Sequence, residues 1–464
     1  MQQSLFPIKP ISMKTKLLRR EFINTISIAG ASLAVGAPNI TIAASQNPKP
    51  ALLGGPKAHP NGYPSWPVSD NTEKQALIEV LESKRWGRLN GKKVATFEKE
   101  YAELLNVKNC VAVSSGTSAL TTIMGALDLG PGDEVILPVY TFIASYNVVT
   151  LNYALPIFVD TDIESFQIDS KKVEAAITNK TRVIMPVHIG GSPANIDHFV
   201  EISKKHNIPL IEDACQAHLA EWKGRKIGSF GLAGAFSFQA SKNLTSGEGG
   251  AVTTNDDRFA QTCYAFHNQG QGGNKVGNYG TGSGTRSSNL RLTEFQGGIL
   301  LAQKMRLAEQ ANLRSENAAH LSKLFNEIEG ITPAKLYEGT TNSAFHLYMF
   351  RYDSSHFSGL SRDQFIKALS AEGVPCSPGY GKMDQSEYVT SLANNNHYLH
   401  IYGEKTMKDW LERNEFPQNN KLVDEEAVWF TQNMLLGTKT DIEQIVAAVH
   451  KIQKFSKELV KLKA

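Results

Sequence analysis

The chain has 464 residues, 41% of them hydrophobic and 20% charged, with 48 Lys and Arg against 45 Asp and Glu for a formal net charge of +3. That length predicts two domains rather than one small core. The near-balance of charge excludes the basic excess that marks nucleic-acid binding, and no apolar run reaches the ~18 residues that a membrane span needs.

The first 44 residues carry Lys9, Lys14, Lys16, Arg19 and Arg20 against Glu21, a net +4 that leaves the remainder at −1. Leu17-Leu18-Arg19-Arg20-Glu21-Phe22-Ile23 leads into a mildly apolar stretch from Phe22 to Val35, then to the small residues Thr41-Ile42-Ala43-Ala44. Charged start, apolar middle and small-residue end have the layout of a signal peptide. Paired arginines with Phe two positions on resemble the twin-arginine type, although Leu18 stands where that pattern has Ser or Thr. Residues 1–44 are therefore expected to be an export signal, with a periplasmic destination reached in the folded state. Met13 offers a second start, and a leader that does not function would leave the protein cytoplasmic. Cys110, Cys215, Cys263 and Cys376 are scattered without a CxxC pair, which predicts buried thiols rather than a disulfide framework. No metal site is expected.

Residues 45–70 are rich in Pro and Gly and predict an irregular arm. Asn71 or Thr72 is a cap for a helix through Lys74–Leu81, and a second helix is expected over Val94–Leu105, with Phe97, Tyr101 and Leu104 on one face. Strands and helices then alternate. Cys110–Val113 is a strand, Ser114 to Ser118 a turn, and Ala119–Leu127 a helix. Strand Glu134–Pro138 precedes helix Ala144–Asn152, and strands Pro156–Asp160 and Arg182–Ile189 follow. Asn195 opens a helix to Lys205. Strands Pro209–Glu212, Ala233–Phe238 and Gly250–Thr254 complete the set. Strands separated by helix-length connections predict a mostly parallel sheet covered on both faces. Ligands in such folds sit beyond the carboxyl ends of the strands. Beyond Arg291 a long helix is expected over Thr293–Phe325 with a break near Gly297-Gly298. After it come a strand over Ala344–Tyr352, a helix over Arg362–Glu372 and a last helix over Asp441–Leu462. The expected division is a large domain over 45–300, arm included, and a small α+β domain over 301–464.

Lys242 lies between an aromatic strand, Phe236-Ser237-Phe238, and a glycine turn, Gly247-Glu248-Gly249-Gly250. Burial there would lower the pKa of its amine and make it a nucleophile. A solvated lysine at a hairpin end is the plain alternative. An aldehyde cofactor held through a lysine also needs an anion cradle for its phosphate, a flat partner for its ring and a carboxylate at its ring nitrogen. Gly116, Thr117 and Ser237 are candidates for the cradle, since a helix start presents free N–H groups. Phe142 is the candidate for stacking and Asp213 for the carboxylate. Each has an ordinary role open to it: Phe142 as core, Asp213 as a cap, His188 as a satisfied structural histidine. Their accumulation along one strand edge favours the cofactor.

The blocks SSGTSAL (Ser114–Leu120), PVYTFIAS (Pro138–Ser145), PVHIGGSPANID (Pro186–Asp197), EDACQAH (Glu212–His218), AFSFQASKNLTSGEGG (Ala235–Gly250) and SSNLRLTEFQGG (Ser287–Gly298) resemble those of the DegT/DnrJ/StrS-type sugar aminotransferases. That resemblance covers essentially everything after the leader. It implies the α/β type I fold of pyridoxal-phosphate-dependent aminotransferases, a large, mostly parallel α/β/α domain and a smaller C-terminal α+β domain. It implies pyridoxal 5'-phosphate as cofactor, Lys242 as the residue that forms the imine and shuttles the proton, and Asp213 at the pyridine nitrogen. Gln216 would lie near the phenolic oxygen, Phe142 on the ring, and Gly116, Thr117 and Ser237 on the phosphate. Asn289 would reach the phosphate of a neighbouring subunit, so the active unit would be a homodimer. LLGGPK (Leu52–Lys57), SPGYGKM (Ser377–Met383) and EEAVWFTQNMLLG (Glu425–Gly437) are most similar to the branch that aminates keto-cyclitols from glutamine or glutamate. Leu219 departs from the family's glycine, and the glycine-rich stretch Gly270–Ser288 lacks a counterpart. The expected function is transfer of an amino group from an amino acid to a keto-sugar or keto-cyclitol. The alternatives are a sugar dehydratase or epimerase using the same cofactor, against which Lys242 itself argues, and an exported cofactor- or sugar-binding protein without transaminase activity.

Overall fold

A computed structural model describes residues 49–272 and 286–462. The expected leader, and residues 273–285 of the glycine-rich stretch, lie outside the described residues.

Short runs of Val, Ile, Leu and Ala form seven strands: β1 (Asn109–Val113), β2 (Glu134–Pro138), β3 (Leu155–Val159), β4 (Thr181–Ile184), β5 (Ile211–Asp213), β6 (Ala233–Ser237) and β7 (Gly250–Thr254). β3, β2 and β4 pair in parallel, as do β5 and β6, while β7 runs antiparallel between β6 and β1. Parallel bridges from Ile184 to Leu210 and from Val187 to Asp213 join the two ladders. The sheet order is thus β1-β7-β6-β5-β4-β2-β3, with β7 alone reversed. β2, β6 and β7 are buried along their whole length, as strands are when both faces are covered.

Alternate strand residues feed two cores. Ala112, Ile136, Ile184, Phe236 and Ala251 face α2 (Lys93–Leu105), α5 (Ile196–His206) and α7 (Glu294–Phe325). Val113, Val135, Leu137, Ile211 and Val252 face α3 (Gly116–Ala126), α4 (Ala144–Thr150) and α6 (Asp257–His267). This is the layered α/β/α arrangement that the strand–helix alternation predicts.

Several boundaries differ for local reasons. α1 (Asn71–Ser83) is capped by Asp70, not by Asn71 or Thr72: the Asp70 carboxylate accepts from Thr72 N–H, and Glu73 closes a capping box. α3 begins at Gly116, because Ser115 accepts from the Ser118 N–H as N-cap. α7 runs without interruption through Gly297-Gly298. A Cβ on Gly297 would lie 2.9 Å from the Val94 backbone nitrogen and one on Gly298 3.3 Å from the Ala76 carbonyl oxygen. These glycines therefore admit α2 and α1 closely rather than ending the helix.

α7 also crosses position 300, where the sequence placed the division between domains. Its Leu300, Leu307 and Ala311 belong to the large core, and its Ala318, Leu321 and Phe325 to a third. That third core lies on an antiparallel sheet of β8 (Ile331–Pro333), β9 (Leu347–Tyr352) and β10 (Ala427–Thr431). α8 (Arg362–Ala371) and α9 (Lys439–Lys454) pack on it. The arm packs here too, through Leu52, Leu53, Ala58 and Tyr63. Buried Glu372 holds it, accepting from the Ala51 and Ala58 N–H groups at 2.7 and 2.8 Å and from Lys451 at 2.8 Å. Short helices between Glu387 and Glu412 cover the outer edge of β3, where the Trp410 indole N–H donates to the Pro156 carbonyl at 2.7 Å.

Candidate active site

The loop that follows β6 carries Lys242 to the carboxyl edge of the sheet. Phe238 anchors that loop, edge-on to Phe97 at 5.3 Å and to Tyr101 at 5.5 Å between centroids. A turn closed by Lys242 N–H to the Gln239 carbonyl at 2.8 Å then sets the lysine. Trp66 of the arm donates to the Ala240 carbonyl at 3.0 Å. Lys242 lines a cavity of about 610 Å³ together with Gly116, Thr117, Phe142, Asp213, Gln216 and Ser237. Seven of the residues singled out from sequence thus converge, though they span more than a hundred positions. Asn289 does not join them: it is exposed and bridges to Asn268.

One end of the cavity is the start of α3. A helix start leaves the first N–H groups, here those of Gly116 and Thr117, without intrahelical acceptors. A Cβ on Gly116 would come within 2.6 Å of Ser237 Cβ and 2.9 Å of Cys215 Sγ. Only glycine therefore lets this helix start close on the end of β6, which gathers two N–H groups and a hydroxyl into one anion-sized cradle.

At the end of β5, buried Asp213 is held at both oxygens. The Ser145 hydroxyl donates to Oδ2 at 2.8 Å and the Cys215 N–H to Oδ1 at 3.2 Å. Gln216 is fixed in orientation, since its Oε1 accepts from the Gly190 N–H at 2.8 Å and its Nε2 donates to the Tyr380 hydroxyl at 2.9 Å. Phe142 stays 56% exposed on the wall, although Tyr140 and Thr141 before it are buried.

Burial lowers the pKa of Lys242, against the opposing influence of Cys215 and Asp213. The Lys242 amine is 3.4 Å from His346 Nε2. His218 is pushed down to about 4 by burial; it ties Tyr101 to the Ser237 carbonyl. Burial raises the Cys215 thiol well above its ordinary value, so it offers no competing nucleophile. Burial thus favours the unprotonated, nucleophilic form of the Lys242 amine.

His188 is structural. Its Nδ1 accepts from the Ala194 N–H at 3.0 Å, which places the ring proton on Nε2, 3.4 Å from Glu212. Glu212 in turn accepts from the N–H groups of Gly228, Phe230 and Gly231. Leu219 packs in the large core and does not line the cavity. Its φ of +63° is a left-handed conformation that glycine adopts freely. Tyr380, Trp429 and His346 complete the cavity from the C-terminal third of the chain. Tyr380 and Trp429 fall inside SPGYGKM and EAVWF, stretches noted only for their resemblance. His346 precedes the apolar alternation of β9 and carried no motif. A larger cavity of about 710 Å³ runs along β3, lined by Lys172, Trp410 and Phe416 among others, and none of the residues singled out from sequence lies in it.

The cavity fits pyridoxal phosphate on its own geometry. It has a glycine-dependent anion cradle, a doubly held carboxylate, an exposed aromatic wall and a buried amine. Among the described residues, no group of three or more His, Cys, Asp or Glu is placed to hold a metal.

Residues 67–413 match the DegT/DnrJ/EryC1/StrS aminotransferase family. Among similar proteins is the L-glutamine:2-deoxy-scyllo-inosose aminotransferase of Streptoalloteichus tenebrarius, 34% identical over 424 residues, 88% of this chain and 98% of the relative. The 3-amino-5-hydroxybenzoate synthase of Amycolatopsis mediterranei is 30% identical over 385 residues, 82% of this chain and 94% of the relative. Among solved structures, a 3-amino-5-hydroxybenzoic acid synthase superposes with a TM-score of 0.74 at 30% identity, covering 85% of this chain and 99% of the other. An aminotransferase from Psychrobacter cryohalolentis gives 0.71 at 30% identity, covering 83% and 98%.

Proposed function

The chain belongs to the DegT/DnrJ/EryC1/StrS aminotransferase family, and from that premise we propose that it moves an amino group from glutamine or glutamate to a keto-cyclitol. It is a pyridoxal-phosphate-dependent aminotransferase of the type I fold. The choice of donor and acceptor rests on its near end-to-end likeness to a glutamine:inosose aminotransferase. The hydroxyl and amide groups of Tyr380, Ser241 and Gln239 around the cavity suit a polyhydroxylated ring.

When bound, pyridoxal phosphate supplies an aldehyde and an electron-accepting ring. Gly116, Thr117 and Ser237 would hold its phosphate, and Phe142 would cover one ring face. Asp213 would pair with the ring nitrogen, its own position kept by Ser145 and the Cys215 N–H. Lys242 would hold the aldehyde, and its neutral amine, when free, would be the base that takes a proton from the donor's Cα and the acid that gives one to the acceptor carbon. Depression of its pKa by burial keeps that amine unprotonated more often than a solvated lysine would be.

The site is proposed to be shared in a homodimer, with Asn289 serving the neighbouring subunit; its exposure is compatible with that reach. Export by a twin-arginine leader is proposed from residues 1–44, and favours a free keto-cyclitol over a nucleotide-linked sugar. Cell fractionation, with and without Arg19 and Arg20 replaced by Lys, tests the export.

The decisive test is purified protein incubated with pyridoxal phosphate, glutamine and a scyllo-inosose. The expected result is a yellow wild-type protein that forms the aminated cyclitol, and a Lys242→Ala variant that folds but neither takes colour nor turns over. A wild type that stays colourless after cofactor addition would overturn the reading.

A further inference from the structure

We propose that His346 is a positioning residue for Lys242: a neutral imidazole of fixed tautomer that accepts one N–H of the lysine amine whenever the amine is free of the aldehyde. The inference deepens the reading above and rests on Lys242 being the amine that carries the aldehyde.

The tautomer follows from a chain of buried hydrogen bonds. Asn243 is 3% exposed, and its Nδ2 donates to the Ala344 carbonyl at 2.7 Å. That orients the amide, so its Oδ1 is the atom 3.2 Å from His346 Nδ1. A carbonyl oxygen can only accept, so the ring proton sits on Nδ1. Nε2 then carries a lone pair, and it is Nε2 that lies 3.4 Å from Lys242 Nζ. His346 is itself 7% exposed. Burial, reinforced by Lys242, His218 and Arg314, pushes its pKa well below the ordinary value, so the ring does not take the proton from the lysine. Cys215 and Asp213 are the groups that oppose the effect of burial on the lysine.

The relay begins on the residue next to Lys242 and ends on the segment leading into β9. Two parts of the chain a hundred residues apart thus fix one acceptor. A displaced lysine has four rotatable bonds and loses rotamer freedom only if something holds its tip. An acceptor on a buried ring does so, keeping the amine near the donor's Cα between the two proton transfers.

Three variants test this: His346→Phe, which removes the acceptor, His346→Gln, which can restore it through an amide oxygen, and Asn243→Ala, which frees the tautomer. In cofactor-free protein, the pH dependence of Lys242 acetylation by acetic anhydride is read by peptide mass spectrometry. Loss of an acceptor disfavours the ammonium form, so the midpoint is expected to fall by about one pH unit in His346→Phe, with His346→Gln near wild type and Asn243→Ala between. In loaded enzyme, single turnover of α-deuterated glutamine is expected to slow about tenfold in His346→Phe. Its isotope effect should be larger because proton transfer becomes more limiting, and His346→Gln should recover it. Unchanged midpoint and isotope effect, with only thermal stability reduced, would reduce His346 to a packing role and overturn the proposal. If wild-type protein takes no cofactor, the functional reading fails, yet the acetylation midpoints still decide whether His346 holds the lysine.

Discussion

Lys242 is held for chemistry at the expense of stability. Its folded pKa lies below its unfolded value, so between the two the unfolded chain binds more protons. Stability of the cofactor-free protein should therefore rise with pH through that window and carry the full penalty below it. Lys242→Met removes the buried amine while keeping its length. The cofactor-free variant is expected to be more stable than wild type at pH 7, by about 1 kcal/mol, with a flatter pH dependence; denaturant melts at several pH values check both. Equal stability would mean that the His346 contact offsets the desolvation. Lys242 and Asp213 were legible in the sequence because Asp213 ends one apolar strand, Lys242 follows another just before a glycine turn, and both fall in blocks that resemble one family. His346, Tyr380 and Trp429 were not, because a polar or aromatic residue beside a small-domain strand looks the same whether it faces the core or a cofactor. Only the folding of one domain against the other shows which.

At the scale of elements, β2 and β7 match their expected ranges residue for residue, whereas the strand expected over Arg182–Ile189 ends already at Ile184. Helix ends were less legible, because side-chain caps decide them. Asp70 was passed over in favour of its neighbours, although Asp70 with Glu73 is itself a capping-box pair. β10 and the helices between Glu387 and Glu412 were not anticipated: β10 follows directly on the helical residues Leu422–Glu426 with no turn between, and the helices are short pieces interrupted at Asn395 and Gly403. Gly297 separates propensity from packing. Alanine is the better helix former by ~1 kcal/mol, but a Cβ there would press on Val94 at 2.9 and 3.0 Å. Gly297→Ala is expected to destabilise by about 1–3 kcal/mol despite the propensity gain, measured as a shift in the urea midpoint. A stabilised variant would show that α2 has room to move away.

At the scale of the molecule, the arm joins the two ends of the chain. Glu372 is fully buried and satisfies two arm N–H groups and Lys451 together. Glu372→Ala leaves the Ala51 and Ala58 N–H groups without their acceptor and Lys451 with the Pro56 carbonyl in place of a carboxylate, and a loss of about 3 kcal/mol is expected. Limited proteolysis should then cut first between residues 49 and 66. Since Trp66 bonds to the loop bearing Lys242, loosening the arm is expected to weaken cofactor retention as well. An arm that stays protected would place its anchorage in the packing of Leu52, Leu53 and Tyr63 instead.

The unbroken course of α7 reaches further than helix geometry. One rigid member supplies apolar side chains to two cores at once, with neither a proline nor a kink between its halves. Opening of the active-site cleft therefore has no joint along this helix and must be taken up by the connecting loops. Damage to either core is also felt by the other, so the two parts of the protein are coupled in cooperativity as well as in space.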